Sequence, residues 1–299
     1  MKRPHFTKPV DHIERADCEA LIRMALMEDA PFGDPTSDSI FPPELSRKAH
    51  VVSREAGVLC GSVLAGILLD VFAEVTSCRI RLEDALRDGD SFSAGARLLT
   101  LDGSVAGILR VERVLLNFLQ YLSGIATTTQ DAVSRAPAGV FVLDTRKTLP
   151  GYRRLVKYAV YLGSGTNHRI NLSEMAMIKD NHVAAAGGIS RAADKVRAKH
   201  PELPLEIEID ELSQIEEALA CSPRVILLDN MDVAEIEEAA RRISNRCAEA
   251  GMDAPVIEVS GGWTPARLHS LASVGLPIGV SMGYLTHTTR FLDLSLEME

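Results

Sequence analysis

Residues 140–147 read VFVLDTRK, four apolar residues followed by Asp144, Thr145, Arg146 and Lys147. An apolar run this short, ended abruptly by charge, reads as a buried strand that empties into a functional loop. The same cadence returns in AMIKDNH (176–182), LEIEID (205–210), VILLDN (225–230), VIEVSGG (256–262) and IGVSMG (278–283). Helical stretches separate them: RRLVKYAVYL, ISRAADKVRA, LSQIEEALA, VAEIEEAARRISNRCAEA and PARLHSLAS. Ser213 with Glu216 is expected to form a capping box, and Thr264 to cap a helix that has Pro265 at its first position. Six strand–loop–helix units in about 150 residues predict a parallel barrel or a doubly wound sheet.

Upstream the rhythm is less regular. Asp17 is expected to cap a helix over CEALIRMALMED, with Leu21, Ile22, Ala25 and Leu26 on one face. Strands are expected at Ala49–Ser53 and Leu98–Leu101, with a buried helix over Val63–Val75 between them. A long amphipathic helix begins near Val105 and carries Ile108, Val111, Leu115 and Leu119. The change of pattern predicts two domains, an α+β layer domain over 1–138 and a strand–helix domain over 139–299.

Composition is that of an ordinary globular chain: 299 residues, 46% hydrophobic and 24% charged. The formal net charge is −9, yet residues 144–182 hold seven basic side chains against three acidic ones, a local +4 that leaves −13 for the rest. A small basic island in an acidic chain does not suit nucleic acid, which favours a broad basic face. It suits a small polyanion. The longest apolar stretch, Val58 to Leu69, is too short for a membrane span. The N-terminal residues lack the apolar core of a secretory signal. Five scattered cysteines (Cys18, Cys60, Cys78, Cys221, Cys247) without a CxxC pair fit a reducing cytoplasm.

Nearly every strand of the second half ends in something reactive, as expected where strand ends converge on one barrel mouth. Arg146, Lys147, Arg169 and Lys179, with His168 nearby, form a cationic set suited to several carboxylates or phosphates. Glu206, Glu208 and Asp210 alternate and so share a face. Glu208 and Asp229 at strand ends suit Mg²⁺ held through carboxylate, water and substrate oxygens. The Ser260-Gly261-Gly262 and Ser281-Met282-Gly283 turns follow the last two strands, where barrels hold phosphate on exposed backbone N–H groups. Together these point to a sugar-phosphate substrate. Gly163-Ser164-Gly165 is not a dinucleotide fingerprint, because His168 stands where the third glycine would be. His168 and His182 are assigned hydrogen-bonding roles. His5, His12, His50, His200 and His269 are assigned to the surface or to no function.

Thr145-Arg146-Lys147-Thr148-Leu149-Pro150-Gly151, Lys157-Tyr158-Ala159-Val160, Asn167-His168-Arg169 and Ile178-Lys179-Asp180-Asn181-His182 follow in order, and the chain at this point resembles the quinolinate phosphoribosyltransferases of NAD biosynthesis. The resemblance continues through Glu206-Ile207-Glu208, Leu228-Asp229-Asn230-Met231, Ser260-Gly261-Gly262 and Leu285-Thr286-His287. Upstream it includes Glu28-Asp29, Gly33-Asp34-Pro35-Thr36, Arg54-Glu55-Ala56-Gly57-Val58, Glu112-Arg113-Val114-Leu115-Leu116-Asn117 and Ser123-Gly124-Ile125-Ala126-Thr127, so nearly the whole chain is covered.

The resemblance implies an N-terminal α/β sandwich and a C-terminal open α/β barrel, with the last residues free to pack back on the N-terminal domain. It implies a homodimer, or a larger oligomer built from it, in which one subunit's N-terminal domain closes the other's barrel. Arg113 would then reach the neighbouring site, alongside Arg146, His168, Arg169 and Lys179 on the quinolinate carboxylates. Lys147, next to Thr145, would join them or contact phosphoribosyl pyrophosphate. Glu208 and Asp229 would face the ribose hydroxyls and Mg²⁺. Ser260, Gly261, Gly262, Ser281, Met282 and Gly283 would surround the 5′-phosphate. Lys147, Lys179, Glu208 and Asp229 would act on the reacting atoms. Ser164, Trp263 and Met282 depart from the family pattern and are expected beside the site. Two other readings are a paralogous phosphoribosyltransferase of molybdate-transport loci and a Schiff-base barrel aldolase using Lys147 or Lys179.

Overall fold

A computed structural model describes residues 7–299, which form two compact units that interleave along the chain. His5 lies outside the described residues. One unit comprises 10–130, 148–164 and 288–299; the other holds 131–147 and 165–287.

In the first unit, α1 (Arg15–Asp29) buries Cys18, Ile22 and Leu26. Its cap is Glu14, not Asp17: Asp17 sits a turn inside and its carboxylate accepts the Glu14 N–H at 2.9 Å. After α2 (Pro35–Ile40) come β1 (Ser46–Ser53), β2 (Gly57–Val58), α3 (Ser62–Thr76), β3 (Ile80–Ala85), β4 (Ser91–Phe92) and β5 (Arg97–Ser104). The main sheet runs β3, β5, β1 and then the C-terminal strand Leu294–Met298, all antiparallel. His50 on β1 is buried rather than superficial, held between Thr100 Oγ1 at 3.1 Å and Glu299 Oε1 at 2.7 Å. The helix α4 (Val105–Arg135) carries Ile108, Val111, Leu115 and Leu119 fully buried. The unit also holds α5 (Arg153–Leu162), whose Tyr158 hydroxyl donates to Asp88. Asp88 in turn accepts the Gly61 and Ser62 N–H groups at 2.7 Å each, capping α3.

The second unit contains the predicted strands β6 (Val140–Leu143), β7 (Ala176–Ile178), β8 (Leu205–Ile209), β9 (Val225–Asp229), β10 (Val256–Ser260) and β11 (Ile278–Ser281). All neighbours are parallel, in the order β6-β11-β10-β9-β8-β7. The last strand therefore pairs with the first, as in a barrel, while β6 and β7 do not pair with each other: the barrel is open at one seam. Thr166 partly fills that seam, donating to Val142 O at 2.8 Å and accepting the Asp144 N–H at 3.2 Å.

Between the strands lie α6 (Asp180–Ala186), α7 (Ile189–Lys199), α8 (Ile215–Ala220), α9 (Val233–Ala250), a 3₁₀ segment Pro265–Ser273 and, after β11, α10 (Tyr284–His287). Thr264 precedes the 3₁₀ segment with Pro265 at its first position, but makes no side-chain cap. The Ser213–Glu216 box is absent: Glu211 caps a 3₁₀ turn instead, and Gln214 Oε1 accepts the Asp210 and Glu211 N–H groups. Trp263 and Met282 belong to the apolar core, not to the mouth, and the Met282 N–H is spent on Leu143 O. Ser164 adopts a left-handed backbone, φ 69°, a conformation that favours glycine.

Candidate active site

The C-terminal ends of β6–β11 and the loop after Thr166 gather most of the candidate residues. Arg169 is 5% exposed and donates to Met175 O at 2.7 Å. Burial lowers its affinity for its proton, Glu206 opposes that, and the guanidinium of Arg146 lowers it further. Like charge on two such guanidinium groups is the condition an anion relieves. Lys147 beside them is exposed, its N–H donating to Thr145 Oγ1 at 3.0 Å. Its carbonyl accepts the Thr286 hydroxyl at 2.6 Å, so the Leu285–His287 motif anchors this loop.

On the neighbouring strands Lys179 Nζ meets Glu208 Oε2 at 2.6 Å, the lysine 44% and the glutamate 12% exposed. His182 does not face the mouth chemistry; its Nδ1 accepts the Lys179 N–H at 3.1 Å and caps α6. Asp229 accepts Asn230 Nδ2 at 2.7 Å. Glu208 Oε1 and Asp229 Oδ1 are the oxygens these contacts leave over, a hard-donor pair on adjacent strands.

The turn after β10 requires glycine. Gly261 has φ +109°, and a Cβ there would lie 2.4 Å from Asn230 Oδ1 and 3.0 Å from Asn230 Cα. Gly262, at φ +61°, is also left-handed. Such a turn lets a ligand approach bare backbone N–H groups. At Gly283 a Cβ would meet His287 Nε2 at 2.7 Å. Ser281 is not simply presented to ligand: its hydroxyl donates to Glu258.

His168 departs from expectation. It is buried, and its ring turns inward rather than toward the mouth. Nδ1 accepts the Arg169 N–H at 2.7 Å. Nε2 lies 3.2 Å from Glu206 Oε2 and 3.1 Å from Glu258 Oε2, a three-centre contact and not one linear hydrogen bond. Burial lowers the ring's basicity, but Glu258 and Glu206 outweigh it through charge and hydrogen bonding, a net push up to about 10. The Arg169 N–H decides for the singly protonated ring, because it needs the Nδ1 lone pair. Glu206 itself is pushed up to about 7, by burial and by Glu258. Sequence reading placed Glu206 on the right face but missed Glu258; its one signal was a lone charge inside the apolar strand VIEVS.

Arg113 belongs to the other unit. On α4 it lines a cavity of about 310 Å³ with Glu28, Asp29, Asn117, Tyr152 and Phe291. A second cavity, about 280 Å³, opens at the N-terminal ends of β6, β10 and β11. Phe141, Val256, Ile257 and Ile278 line it with Ser244 and without a charged group, so it does not suit an anionic ligand.

Residues 34–123 match the family model described as quinolinate phosphoribosyl transferase, N-terminal domain, and residues 125–297 match its C-terminal domain. A nicotinate-nucleotide pyrophosphorylase [carboxylating] of Mycobacterium leprae is 39% identical over 292 residues, covering 95% of this chain and 99% of that protein. A crystal structure of a nicotinate-nucleotide pyrophosphorylase from Francisella tularensis superposes with TM-score 0.88 at 31% identity, covering 98% of this chain and all of that one. One from Ehrlichia chaffeensis superposes with TM-score 0.84 at 34% identity, covering 94% and 98%.

Proposed function

The chain belongs to the quinolinate phosphoribosyltransferase family, and from that premise we propose how its mouth joins quinolinate to phosphoribosyl pyrophosphate, leaving nicotinate mononucleotide, pyrophosphate and CO₂ for NAD biosynthesis. The observation that supports the reading is the gathering of Arg146 and Arg169 at the C-terminal end of one parallel sheet, beside Lys179, Glu208 and the Gly261–Gly262 turn. Two such cations, with Lys179, bind a pyridine dicarboxylate and hold it against a second polyanion that would otherwise repel it.

Glu208 lies where a ribose would sit between Lys179 and Asp229, and a carboxylate there stabilises the positive charge that develops as pyrophosphate departs. The ring nitrogen attacks the ribose carbon that pyrophosphate leaves. The cationic ring stabilises the electron pair left on its carbon as the adjacent carboxylate departs as CO₂, and that carbon then takes a proton from water. Glu208 Oε1 and Asp229 Oδ1 fit Mg²⁺ as hard donors completed by water and substrate oxygens, and a bound ion would neutralise the leaving group. The Gly261–Gly262 turn supports phosphate binding. Lys179, ion-paired with Glu208, and Lys147, exposed, do not sit in the apolar pocket that a Schiff-base amine needs.

Arg113 supports a homodimer with shared sites, since it stands outside the unit that carries the other cations. Unpaired cysteines support a cytoplasmic location. Among the described residues no helix is long and apolar enough to cross a membrane.

Purified protein with both substrates and Mg²⁺ should release the mononucleotide, and EDTA should abolish the release. No product, with quinolinate binding undetectable, would overturn the reading. Arg113→Ala mixed with Lys179→Ala should regain partial activity through hybrid sites; none, despite proven subunit exchange, argues against sharing.

A further inference from the structure

Beneath the mouth lies a polar layer that no step above uses. Asp144, fully buried, accepts the His168 N–H at 2.9 Å and Asn167 Nδ2 at 2.6 Å. His168 holds the Arg169 N–H through Nδ1 and presents Nε2 to Glu206 and Glu258, which are 0% and 1% exposed. Glu258 also takes the Ser281 hydroxyl from the far side. One carboxylate on β10 thus touches both the arm that ends in Arg169 and the arm that ends in the β11 turn. Glu206 on β8 touches only the first.

Burying two carboxylates is costly, and well-packed apolar residues at such positions are often neutral or stabilising. A metal ion does not explain them. The ring's single proton is on Nε2, because Nδ1 has given its lone pair to the Arg169 N–H, and a protonated nitrogen is no ligand.

We propose that Glu258 is a positioning residue shared by both substrate subsites. Through His168 it sets the main-chain position of Arg169, and through Ser281 it sets the turn that follows β11. Glu206 supports the Arg169 arm alone. Neither carboxylate touches substrate. The proposal rests on the reading that Arg169 meets quinolinate and the β11 turn meets phosphoribosyl pyrophosphate.

The test is a pattern across full-length variants rather than one loss. Glu258→Leu should raise the KM for both substrates by about tenfold, a scale consistent with misplacing a positioning group. Glu206→Leu should raise the quinolinate KM alone, and Ser281→Ala the phosphoribosyl pyrophosphate KM alone. Glu258→Gln, which can accept from His168 and donate to Ser281, should restore both to within about twofold, because its geometry satisfies the same partners. If a leucine variant does not fold, Glu258→Asp and Glu206→Asp, which withdraw the carboxylate by one methylene, carry the same comparison.

In ¹⁵N spectra of the wild type, His168 should show one protonated and one unprotonated ring nitrogen. A uniform rise in both KM values for all variants would indicate a purely structural role and overturn the proposal. So would an unchanged quinolinate KM in a folded Glu258→Leu enzyme, a doubly protonated ring, or a stoichiometric divalent ion lost with Glu258→Gln. Arg169→Lys separates the premise: if it leaves quinolinate KM unchanged, the site reading fails. If it raises that KM while the Glu258 variants do not, only the present proposal fails.

Discussion

Glu206 and Glu208 stand two residues apart on β8 and point to the same side, yet their surroundings have little in common. Glu208 reaches the mouth, where Lys179 meets it at 2.6 Å and water has access. Glu206 is sealed below, pressed against His168 and Glu258, and burial pushes it up to about 7. One strand thus builds two layers with opposite demands. The mouth holds its charge in a pair that is open to water on the lysine side. The floor hides charge at a standing cost and uses it to hold other residues still.

The sharpest way to break this contrast is Glu208→Ala. It should lower kcat/KM by about 10³-fold, near 4 kcal/mol, the cost of losing one preorganised electrostatic group. The melting temperature should move by less than about 2 °C, since a solvated pair contributes little. A large thermal shift would show that the mouth is structural too. Glu206→Ala should do the reverse, costing about 3 kcal/mol of stability by emptying a fully buried, packed position beside His168. That corresponds to a melting temperature lower by roughly 6–12 °C, and a smaller drop would show that the floor relaxes around the gap.

Gly261→Ala should come next, at about 2 kcal/mol, because the left-handed backbone and the Asn230 clash fall together. It should appear chiefly as a raised KM for phosphoribosyl pyrophosphate. The smallest effect belongs to a region of neither kind, the surface network in which Glu19 holds Arg15 and Arg23. Hydrogen bonds from those arginines lower the Glu19 carboxyl to about 2. Its contribution is therefore present above the ordinary carboxylate value and fades as pH falls through about 2. Glu19→Gln should leave kinetics unchanged, and its small loss of urea stability at pH 7 should vanish near pH 2.

The mouth was legible in the sequence because its residues follow apolar runs at the point where each strand ends. Arg146, Lys179, Asp229 and the Gly261–Gly262 turn needed only that cadence. The floor was not, because burial of a charge depends on which strands face one another. Glu258 shares its strand with no other acid, and only the fold brings it to His168, ninety residues earlier. The family resemblance implied a ligand contact for His168; alternation along an irregular loop does not say which way a ring turns. Asp17 was read as a cap because aspartate favours that position, yet Glu14 takes it, with Asp17 closing the box from inside. The helical stripe of α5 predicted a helix correctly but not the unit that receives it.

Thr166 carries a further consequence. Its two backbone bonds to β6 are the cover on that side of a strand whose other neighbour is β11. An uncovered strand edge invites pairing with another chain. The loop that carries Arg169, the residue proposed to bind quinolinate, is therefore also a guard against self-association, and the two duties are joined within three residues. Variants that loosen it should lose soluble yield along with turnover, so a screen for expression alone would already filter this part of the active site.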